Sequence, residues 1–443
     1  MSDFRAGKPQ PQAAGSRAAG SRAAGSRAAS APISQPLCAP AGVQPPSIRL
    51  RGSTWNPIIY RKRIESIDPN AEAGGLVAVR SAEGELIGYG HYNPRAEVTV
   101  RMLSFGNRIP DEDWWNERFH AAIALRRDLL QLDNTTDAYR LIHAEGDYLS
   151  GMVVDRYGDV LSAEAFSLAM YQRAPELLQR LAAMLNVPHW IVRGSPHMLG
   201  QEGIAGETQM SPDCPAQVLV RESGTRYRVR FAGGHKTGFF CDQRENRARL
   251  AQLCKGKTVL DLCCYTGGFS VHAKRCGEAA DVTAVDIDEE PLRIARENAN
   301  LNQVRISVAQ SDAFAYMRDM LRNGRQYDIV VLDPPKLING RLELEEGTRK
   351  HFDLNRLAMQ LVRPGGILLS CTCSGLLTWA EFHKLLVSAS LQSGAAHTLP
   401  DGRVRHAARP LQFLSHSGAA ADHPTAANCP ESEYLKAFWL RLG

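Results

Sequence analysis

Features that would assign this chain to a membrane, metal-binding or secreted class are missing from its sequence. No apolar run approaches the roughly 20 residues that a membrane-spanning helix needs, and the N-terminus lacks the apolar core of a secretory signal. The chain has ten cysteines, but no two of them form a Cys-x-x-Cys pair, so a zinc site is not expected. Scattered thiols of this kind are typical of the reducing cytoplasm. We therefore predict a cytoplasmic protein with free thiols, no bound metal and no contact with a membrane.

Excess charge is also missing from the body of the chain. The formal net charge of +5 comes entirely from residues 1–50, which hold six basic groups and one acidic group. Removing these from the totals of 52 and 47 leaves 46 basic and 46 acidic groups in the remainder. Contact with a nucleic acid must therefore rest on local patches and not on the net charge.

Residues 1–46 are predicted to form a disordered basic tail. The sequence Ala-Ala-Gly-Ser-Arg repeats three times between Ala13 and Arg27, and such a composition buries too little apolar surface to offset chain entropy. An N-terminus rich in Ala, Arg and Ser also resembles an organellar transit peptide. The strict five-residue repeat favours a linker instead.

The next two segments carry short strands. Residues 47–110 alternate polar and apolar side chains in several runs, such as Ile48–Arg51, which predicts a small β-barrel. Residues 111–206 begin with a connecting helix and continue as a small α/β domain. In that domain we expect a helix over Pro175–Leu185.

A hairpin is predicted beyond residue 207, with strands Val218–Val220 and Tyr227–Phe231. Its period of two puts Arg226, Arg228 and a third arginine on one face, where they would contact RNA or simply face solvent.

A helix follows the hairpin and adds further positive charge. Asp242 is expected to begin this helix, with Glu245 at the capping-box position. Arg244 within the helix, and His235 and Lys236 just before it, extend the candidate basic surface.

The stretch Thr258–Asp286 has the pattern of a nucleoside-binding crossover. An apolar run leads into the turn Tyr265-Thr266-Gly267-Gly268, and a helix-compatible segment then leads to a second apolar run that ends at Asp286. Glycines let the backbone approach a ligand, and a carboxylate at the end of the second strand can bind both hydroxyls of a ribose. No Gly-x-Gly-x-x-Gly fingerprint is present, so any α/β crossover with a glycine turn fits these residues equally well.

Three further strand ends carry polar side chains. A strand at Ile306–Ala309 ends near Asp312, which is placed to meet the amino group of an adenine. Strands at Asp328–Leu332 and Gly365–Ser370 run into Asp-Pro-Pro-Lys and Cys-Thr-Cys-Ser-Gly. Open α/β sheets bind ligands at the carboxyl edge of their strands. We therefore predict a doubly wound sheet over residues 207–443, with its site at that edge.

Nine motifs occur along the chain in a recognisable order: Gly90–Pro94, Gly146–Gly158, His235–Phe240, Asp242–Arg244, Tyr265–Phe269, Asp333–Lys336, Cys373–Gly375, Ala421–Pro424 and Tyr434–Lys436. Together they resemble the bacterial 23S rRNA cytosine-5 methyltransferases that carry an N-terminal PUA domain. The resemblance covers residues 47–443. It implies a PUA domain at 47–110, a middle α/β domain at 111–206, and a class I, Rossmann-like methyltransferase domain at 207–443.

The resemblance also implies a cofactor, a substrate and a set of residues for each. The cofactor would be S-adenosylmethionine, and the partner would be 23S rRNA, with a homodimer left open. RNA would be contacted by His235, Lys236, Arg226, Arg228 and Arg244. The cofactor would be bound by Gln243, Asp261, Tyr265, Thr266, Gly267, Gly268, Phe269, Asp286, Ile287, Ser311, Asp312 and Asp333. The segment Ser53–Arg61 departs from the family's pattern, so the RNA surface of the PUA domain is not carried over.

Cytosine carbon 5 is a poor nucleophile until a thiolate adds at carbon 6, and the target base must first leave its stack. We expect Cys373 to be this nucleophile, Asp333 to hold the cytosine edge, and Lys336 to meet phosphate or the base. Cys371 lies two residues away on the same side of an extended chain, so it is the rival nucleophile. Free cysteines are also common as small buried fillers, and Cys373 is favoured because it falls on the family's Cys-Ser-Gly motif.

Three other functions fit part of the pattern. Methyltransferases that act on base amino groups place an aromatic residue after Asp-Pro-Pro, whereas this chain has Lys336. A non-catalytic ribosome-assembly factor would be expected to lose the cofactor turn or the strand-end acids, and both are retained. A dinucleotide enzyme is the weakest alternative because its glycine fingerprint is absent.

Overall fold

The computed structural model describes residues 36–38, 42–194, 200–203, 208–231 and 238–443. Within these residues the chain forms three main sheets in succession and two separate hairpins. Most of the predicted tail lies outside the described residues, as do His235 and Lys236. No helix in the described ranges is long and apolar enough to cross a membrane.

Six short strands form the first sheet: Ser47–Leu50 (β1), Ile58–Tyr60 (β2), Ile64–Ile67 (β3), Leu76–Arg80 (β4), Leu86–Tyr92 (β5) and Val98–Phe105 (β6). Their order is β2-β6-β5-β4-β1-β3. Gly88 and Gly90 let β5 come close to β6, since an added Cβ would lie 2.1 Å from Ser104 O and 2.5 Å from Arg101 O respectively. The curled sheet encloses its own small apolar core. The predicted β-rich N-terminal domain is therefore confirmed.

The middle domain is a five-stranded sheet in the order β11-β10-β9-β8-β7 with helices packed against it. Its elements are Glu112–Ala124 (α1), Ala138–His143 (β7), Met152–Tyr157 (β8), Val160–Ala165 (β9), Leu168–Leu185 (α2), His189–Gly194 (β10) and Gln209–Met210 (β11). The predicted start of α2 is wrong by seven residues, because Ser167 accepts a hydrogen bond from the backbone N–H of Met170 (3.3 Å) and caps the helix there. Pro175 lies inside the helix, whose apolar residues on either side of it are buried in the core.

The last residues of the predicted tail belong to this middle domain. Leu37 is only 3% exposed and packs in the core formed by α1, α2 and the sheet. Its backbone N–H donates to Glu176 Oε2 on α2 at 3.1 Å. The predicted boundary at residue 46 is therefore too late, because the short described segment 36–38 is already folded against α2.

A separate hairpin, Gln217–Glu222 (β12) and Thr225–Arg230 (β13), comes next and confirms the predicted one. Ser223 and Gly224 turn with φ of 46° and 80°, which suits a two-residue hairpin loop. The following helix, Arg244–Ala251 (α3), is preceded by a short 3₁₀ turn at Cys241–Gln243. The predicted capping box is wrong, since Asp242 instead accepts a hydrogen bond from the Tyr434 hydroxyl at 2.6 Å.

The third sheet has seven strands in the order β16-β15-β14-β17-β18-β22-β21. The first five are parallel, and β22 and β21 complete the sheet as the predicted antiparallel edge. Helices pack on this sheet, whose two faces bury separate apolar clusters. The elements are Thr258–Leu262 (β14), Gly268–Arg275 (α4), Asp281–Asp286 (β15), Glu289–Leu301 (α5), Ser307–Gln310 (β16), Ala313–Arg322 (α6), Tyr327–Leu332 (β17), Leu344–Leu361 (α7), Val362–Thr372 (β18), Trp379–Ser390 (α8), the small hairpin Ala396–Thr398 (β19) with Val404–His406 (β20), Leu411–Ser417 (β21) and Lys436–Leu442 (β22).

A buried charge network joins the middle domain to the third sheet. Asp422, in the segment before β22, accepts both guanidinium N–H groups of Arg244 at 2.9 Å and the backbone N–H of Arg140 at 2.8 Å. Arg126 donates to the carbonyl oxygen of Asp422 (2.7 Å) and also pairs with Asp147. This domain junction fixes α3, and with it the turn that precedes α3, against the carboxyl edge of the sheet.

Candidate active site

Five neighbouring strands deliver the predicted site residues to one edge of the third sheet. In the order β16, β15, β14, β17 and β18, the strand ends lead to Asp312, Asp286, the turn after Asp261, Asp333 and Cys373. Residues more than 100 positions apart along the sequence therefore follow one another along this edge, because parallel neighbours end on the same side.

The turn after β14 has an unusual backbone. Cys263 and Tyr265 adopt φ of 60° and 51°, and Gly267 has φ of 76°, all in the left-handed region that side chains disfavour. A Cβ on Gly267 would also lie 2.9 Å from the Cβ of Ala295 on α5. Gly267 is thus required for the turn and for helix packing, whereas the sequence suggested only ligand approach. Strained backbone of this kind gathers at functional sites.

Asp261, near the end of β14, is buried with half of its carboxylate unused. Its Oδ2 accepts the Ser270 hydroxyl at 2.6 Å and the Ser270 backbone N–H at 3.0 Å. Its Oδ1 has no hydrogen-bond partner among the described residues. Burial raises the pKa of Asp261 to about 7, although the Ser270 hydrogen bonds act against this rise. A buried, unsatisfied carboxylate oxygen points to a missing partner, such as a ligand cation.

Asp286 connects the ends of β15 and β16 to the turn. Its Oδ2 accepts the backbone N–H of Tyr265 at 2.8 Å, and its Oδ1 accepts that of Asp288 at 3.1 Å. The carbonyl oxygen of Asp286 accepts the backbone N–H of Ser311 at 2.9 Å. Ile287 beside it is 61% exposed, which is high for an isoleucine. The carboxylate still has lone pairs for hydroxyl donors, and the exposed Ile287 offers an apolar surface next to it.

Asp312 serves as a helix cap in this structure. Its carboxylate accepts the backbone N–H of Ala315 at 3.0 Å at the start of α6, and the residue is exposed. The Ser311 hydroxyl donates to the carbonyl oxygen of Asp312 at 3.1 Å. Both residues therefore lie at the predicted place, and the cap leaves further lone pairs on the carboxylate.

These groups fit S-adenosylmethionine, the expected cofactor. Besides burial, four carboxylates raise the pKa of the Cys263 thiol, in the order Asp286, Asp333, Asp261 and Asp312. They surround the turn with negative charge, which suits a ligand that carries a sulfonium and an ammonium group. The unused oxygen of Asp261 supplies a buried acceptor, and the exposed Ile287 supplies an apolar contact for an adenine ring.

Asp333 is half-buried and held by the turn before α3. The Gln243 side chain donates to Asp333 Oδ2 at 3.0 Å, and Asn246 on α3 in turn donates to Gln243 Oε1 at 2.7 Å. Gln243 also acts to lower the pKa of the Cys371 thiol, against the effect of burial. A residue predicted to bind the cofactor thus lies beside the predicted catalytic acid.

The two candidate nucleophiles differ in burial. Cys371 lies within β18, is fully buried and packs in the apolar cluster with Leu369 and Trp439. Burial, with the charge of Asp333 next, raises the pKa of Cys371 well above its ordinary value. Cys373 comes just after the strand and is only partly buried. The backbone beyond it is fixed, because Ser374 N–H donates to Thr372 Oγ1 at 3.2 Å.

Three further predicted residues differ in their surroundings. Phe269 is 6% exposed and packs in the apolar core. Arg244, predicted to contact RNA, is buried in its two hydrogen bonds with Asp422, which is a correction. Lys336 is exposed, and within the described ranges its ammonium forms no hydrogen bond or ion pair.

The arginine face of the hairpin is also not a free surface. Arg228 and Arg230 pair with Glu297 on α5 at 3.3 and 2.9 Å, and Arg226 donates to the carbonyl oxygen of Leu301 at 2.9 Å. RNA contact by this face stays a prediction, and α5 supplies internal acceptors for these arginines. The alternation of side chains on β13 was predicted correctly, but the pairing of its arginines with Glu297 was not.

Two other residues of interest were missed in the sequence. Lys436, at the start of β22, is 3% exposed and lies opposite Thr372 on β18. Trp55 is 72% exposed, lies 5.4 Å from the Phe105 ring, and accepts at its carbonyl oxygen a hydrogen bond from Asn428 at 2.7 Å. The motif Tyr434–Lys436 and the departure at Ser53–Arg61 were the available signals, but neither assigns a role.

Comparisons with known proteins agree with this geometry. A model of S-adenosylmethionine-dependent methyltransferases matches residues 147–383, and a model of PUA-like domains matches residues 54–105. A methyltransferase structure complexed with SAH has a TM-score of 0.73 at 20% identity, covering 89% of this chain and 99% of that chain. A SAM-dependent methyltransferase from Streptococcus mutans, also 20% identical, has a TM-score of 0.72, covering 89% of this chain and 100% of that chain. These likenesses show the fold.

Two curated relatives are more similar in sequence. Ribosomal RNA large subunit methyltransferase I of Aliivibrio fischeri (strain ATCC 700601 / ES114) is 33% identical over 393 residues, which cover 87% of this chain and 95% of that protein. The protein of the same name from Shewanella frigidimarina (strain NCIMB 400) is 34% identical over 396 residues, with the same coverage of 87% and 95%. The strand-end acids, the strained glycine turn and this similarity over nearly the whole length agree, and the chain belongs to the ribosomal RNA large subunit methyltransferase I family of S-adenosylmethionine-dependent methyltransferases.

Proposed function

We propose that this protein methylates carbon 5 of a cytosine in large-subunit ribosomal RNA through a transient covalent bond to Cys373. The observation that carries the proposal is the contrast between Cys371 within β18 and Cys373 just after it. Cys371 is sealed in the core, whereas Cys373 is accessible at the edge where Asp333 also lies. The relatives at 33–34% identity are named for large-subunit ribosomal RNA, which supports the class of substrate and, with it, a cytoplasmic site of action.

Cys373 performs the first step in this proposal. Its thiolate forms an Sγ–C6 bond, and the electron pair of the C5–C6 double bond moves into the ring, so carbon 5 becomes nucleophilic. After carbon 5 has been methylated, its proton is lost, the C5–C6 double bond re-forms and the Sγ–C6 bond breaks. The thiolate is regenerated, so the enzyme needs no oxidant or reductant.

Asp333 and Lys336 hold the substrate in this proposal. Asp333 binds the edge of the extruded cytosine and supports the proton on its ring nitrogen while Cys373 adds. Gln243 orients the Asp333 carboxylate, since it donates to Oδ2 at 3.0 Å. The exposed ammonium of Lys336, four residues beyond the end of β17, meets a phosphate next to the target nucleotide.

The cofactor pocket lies beside these groups. S-adenosylmethionine supplies an electrophilic methyl group when it is bound. Asp286 takes the ribose hydroxyls, Ile287 covers the adenine, and Asp312 with Ser311 meets the adenine amino group. The unused oxygen of Asp261 accepts a hydrogen bond from the ligand's cationic end. Gly267 and Gly268 begin α4, whose backbone N–H groups face the same edge.

RNA contact in this proposal comes from the N-terminal PUA domain and not from the hairpin arginines. Trp55 exposes its ring there, and aromatic faces stack on unpaired bases. Arg63 supports the same loop, donating to Thr54 Oγ1 at 3.2 Å and to the carbonyl oxygen of Ser53 at 2.9 Å. Arg51, whose backbone N–H donates to the carbonyl oxygen of Arg63 at 2.9 Å, is exposed beside it.

The experiment that tests the reaction uses large-subunit RNA from a strain lacking the protein, with mass spectrometry of the product nucleosides. We expect 5-methylcytosine with the wild type and with Cys371→Ala, and none with Cys373→Ala. RNA containing 5-fluorocytosine should trap a covalent adduct that maps to Cys373. A methylated amino group in the product would contradict the proposal in favour of an amino-group methyltransferase. Normal turnover by Cys373→Ala would exclude the covalent route.

A binding measurement beside this experiment separates the enzyme from a non-catalytic assembly factor. Cofactor binding is measured by calorimetry for the wild type and for Cys373→Ala. Retained binding by the variant, together with lost methylation, would assign the loss to chemistry. An assembly factor would give no methylated nucleoside with either protein.

A further inference from the structure

Lys436 is a buried lysine without a carboxylate partner in contact. Lys436 is the first residue of β22 and is 3% exposed. Its Nζ lies 3.4 Å from the carbonyl oxygens of Ser374 and Tyr434. It forms no ion pair with any carboxylate in the described part of the chain. Removing an ammonium group from water is costly unless an opposite charge compensates for it. Two long hydrogen bonds to neutral oxygens compensate only in part.

The position of Lys436 is set by the strand register next to the nucleophile. Lys436 pairs with Thr372 across the antiparallel β18–β22 ladder, and Cys373 is the next residue along β18. The acceptor at Ser374 follows Cys373 directly. The ammonium is therefore held against the backbone carbonyl of the residue that follows Cys373. Ser374 is itself buried, with a hydroxyl that has no hydrogen-bond partner among the described residues.

Two anionic groups act on the ammonium. Burial lowers the pKa of Lys436, whereas Glu433 and then the Cys373 thiol act to raise it. Glu433 is exposed, and its Oε1 already accepts a hydrogen bond from Trp379 Nε1 at 2.9 Å. Solvent screens an exposed carboxylate, so the sulfur of Cys373 is the less screened of the two partners.

Other charged and titratable groups described around the end of β18 do not favour a thiolate there. Asp333 from the loop after β17 and Asp242 from the turn before α3 are negative, and both raise the pKa of the neighbouring Cys371. His351 on α7 contacts Thr372 Oγ1 at 3.2 Å, and burial lowers the pKa of His351 to about 4, so it is neutral. Lys436 thus supplies a cation beside the residue that follows Cys373.

We propose that Lys436 is the electrostatic partner of Cys373, and that its ammonium stabilises the thiolate both before attack on the base and when the sulfur leaves. This inference rests on the proposed function of Cys373 as nucleophile. Lys436 acts through Cys373 and is a positioning residue. Its burial keeps it from reaching a phosphate of the RNA, which is the usual role of an exposed lysine.

The test measures the thiol directly, without RNA or cofactor. Alkylation of Cys373 by iodoacetamide is followed by mass spectrometry of the Cys373 peptide between pH 5 and pH 10. The substitution Lys436→Met keeps the length of the side chain and removes the charge, and we expect it to raise the midpoint of the alkylation profile by about one pH unit or more, since nearby cations lower thiol pKa values by about 1–5 units. Lys436→Arg should restore most of the shift. The exposed Lys384 on α8 supplies the matched control, Lys384→Met, with an unchanged midpoint.

The outcomes separate this inference from the proposed reaction. An unchanged midpoint in a folded Lys436→Met protein overturns the inference, even if wild-type protein still forms the 5-fluorocytosine adduct. A raised midpoint supports it, even if no adduct forms and the proposed reaction fails. If Lys436→Met does not fold, Lys436→Arg and Lys436→Gln are measured instead, and equal midpoints for these two overturn the inference.

Discussion

Carboxylates in two regions of this protein have different kinds of partner. At the domain junction, buried acids lie against arginines: Asp422 against Arg244, Asp147 against Arg126, and Asp155 against Arg140. In the proposed cofactor pocket, Asp261, Asp286 and Asp312 accept hydrogen bonds from backbone N–H groups or hydroxyls. Within the described residues these three form no ion pair with an arginine or lysine.

We interpret the difference as one between structural charge at the junction and charge kept for a ligand at the proposed pocket. A buried acid with an arginine partner is satisfied, so it contributes to the native state without any further molecule. An acid that only accepts from neutral donors retains its negative field, which a cationic ligand can neutralise. The junction arginine Arg244 is likewise occupied by a buried acid, which excludes the predicted RNA contact at this residue.

The largest effect is expected from breaking the junction at Asp422. Asp422→Asn leaves the buried Arg244 guanidinium without its counter-charge, and we expect a loss of about 3–5 kcal/mol in the free energy of unfolding, as for other broken buried pairs. Urea denaturation measures this. The exposed pair of Asp319 and Arg322 supplies the control, because Asp319→Asn should change stability by less than about 0.5 kcal/mol.

Acid should weaken the same junction. Burial alone would raise the pKa of Asp422, but His423 and then Arg244 hold it well below its usual range. A depressed folded-state pKa adds stability above the unfolded value of about 3.9 and loses it as the pH falls below that value. Wild-type protein should therefore lose stability steeply below about pH 4, and Asp422→Asn less steeply. Parallel curves for the two proteins would contradict this role for Asp422.

The next largest effect concerns the unpaired acids. Asp286→Ala should weaken binding of S-adenosylmethionine by about 10- to 100-fold, since hydrogen bonds to charged groups contribute about 1.5–3 kcal/mol. Calorimetric titration measures the affinity. Because Asp286 also accepts two backbone N–H groups, the thermal midpoint of each protein is recorded as a control. Unchanged affinity in a folded variant would exclude the ribose contact.

A smaller effect is expected from the protonation of Asp261. With its pKa raised to about 7 by burial, the carboxyl becomes neutral as the pH falls, and a neutral carboxyl attracts a cation less. Cofactor affinity should therefore fall by about three- to tenfold between pH 8 and pH 6, beyond the change seen in Asp261→Asn. Because Asp261→Asn has no titrating carboxyl at this position, its pH profile shows the part of the change that comes from the ligand itself. Identical pH profiles for both proteins would mean that Asp261 does not face the cation.

At Asp261, a fall in pH should change the stability of the protein in the opposite direction to its cofactor affinity. A folded-state pKa above the unfolded value means that the native protein binds the proton more tightly. The cofactor-free protein should gain stability from this group as the pH falls from 8 to 5, while its cofactor affinity decreases. Thermal midpoints of the wild type and of Asp261→Asn across this range measure the difference.

The smallest effect is expected at the hairpin, where the ion pairs are half-exposed. Glu297 meets Arg228, Arg230 and Arg293 with side chains that are 23–47% exposed on the arginine side. Exposed pairs contribute about 0–1 kcal/mol, so Glu297→Gln should destabilise the protein by less than about 1 kcal/mol. Urea denaturation beside Asp422→Asn gives the direct comparison. A loss as large as that of Asp422→Asn would show that exposure does not decide the strength of these pairs.

Local patterns in the sequence predicted much of the fold and the candidate site. The run Thr258–Asp286 predicted β14, α4 and β15 because glycine, apolar periodicity and a strand-end acid lie within one short crossover. The hairpin around Ser223 was predicted for the same reason, since a two-residue turn fixes its register. Boundaries were less secure: the helix was predicted to start at Pro175, but the serine cap eight residues earlier begins α2.

Contacts between distant residues could not be predicted in this way. Asp422 and Arg244 are 178 positions apart, and nothing near Arg244 in the sequence distinguishes a buried ion pair from an RNA contact. The same holds for Arg228, whose partner Glu297 lies on a helix that reaches β13 only in the folded chain. Leu37 was assigned to the tail because it lies in a stretch rich in proline and alanine, while its burial depends on α2.

The sequence by itself determined the order of elements, the acids at the strand ends and the membership of a methyltransferase family, because each is written in a short contiguous motif. Only the tertiary structure decided which charges are satisfied. It seals Cys371 in the core and leaves Cys373 accessible, and it brings Lys436 from the last strand to the end of β18. Burial and pairing depend on what packs against a side chain, and that is set by the topology of the sheet, which brings together residues far apart in the chain.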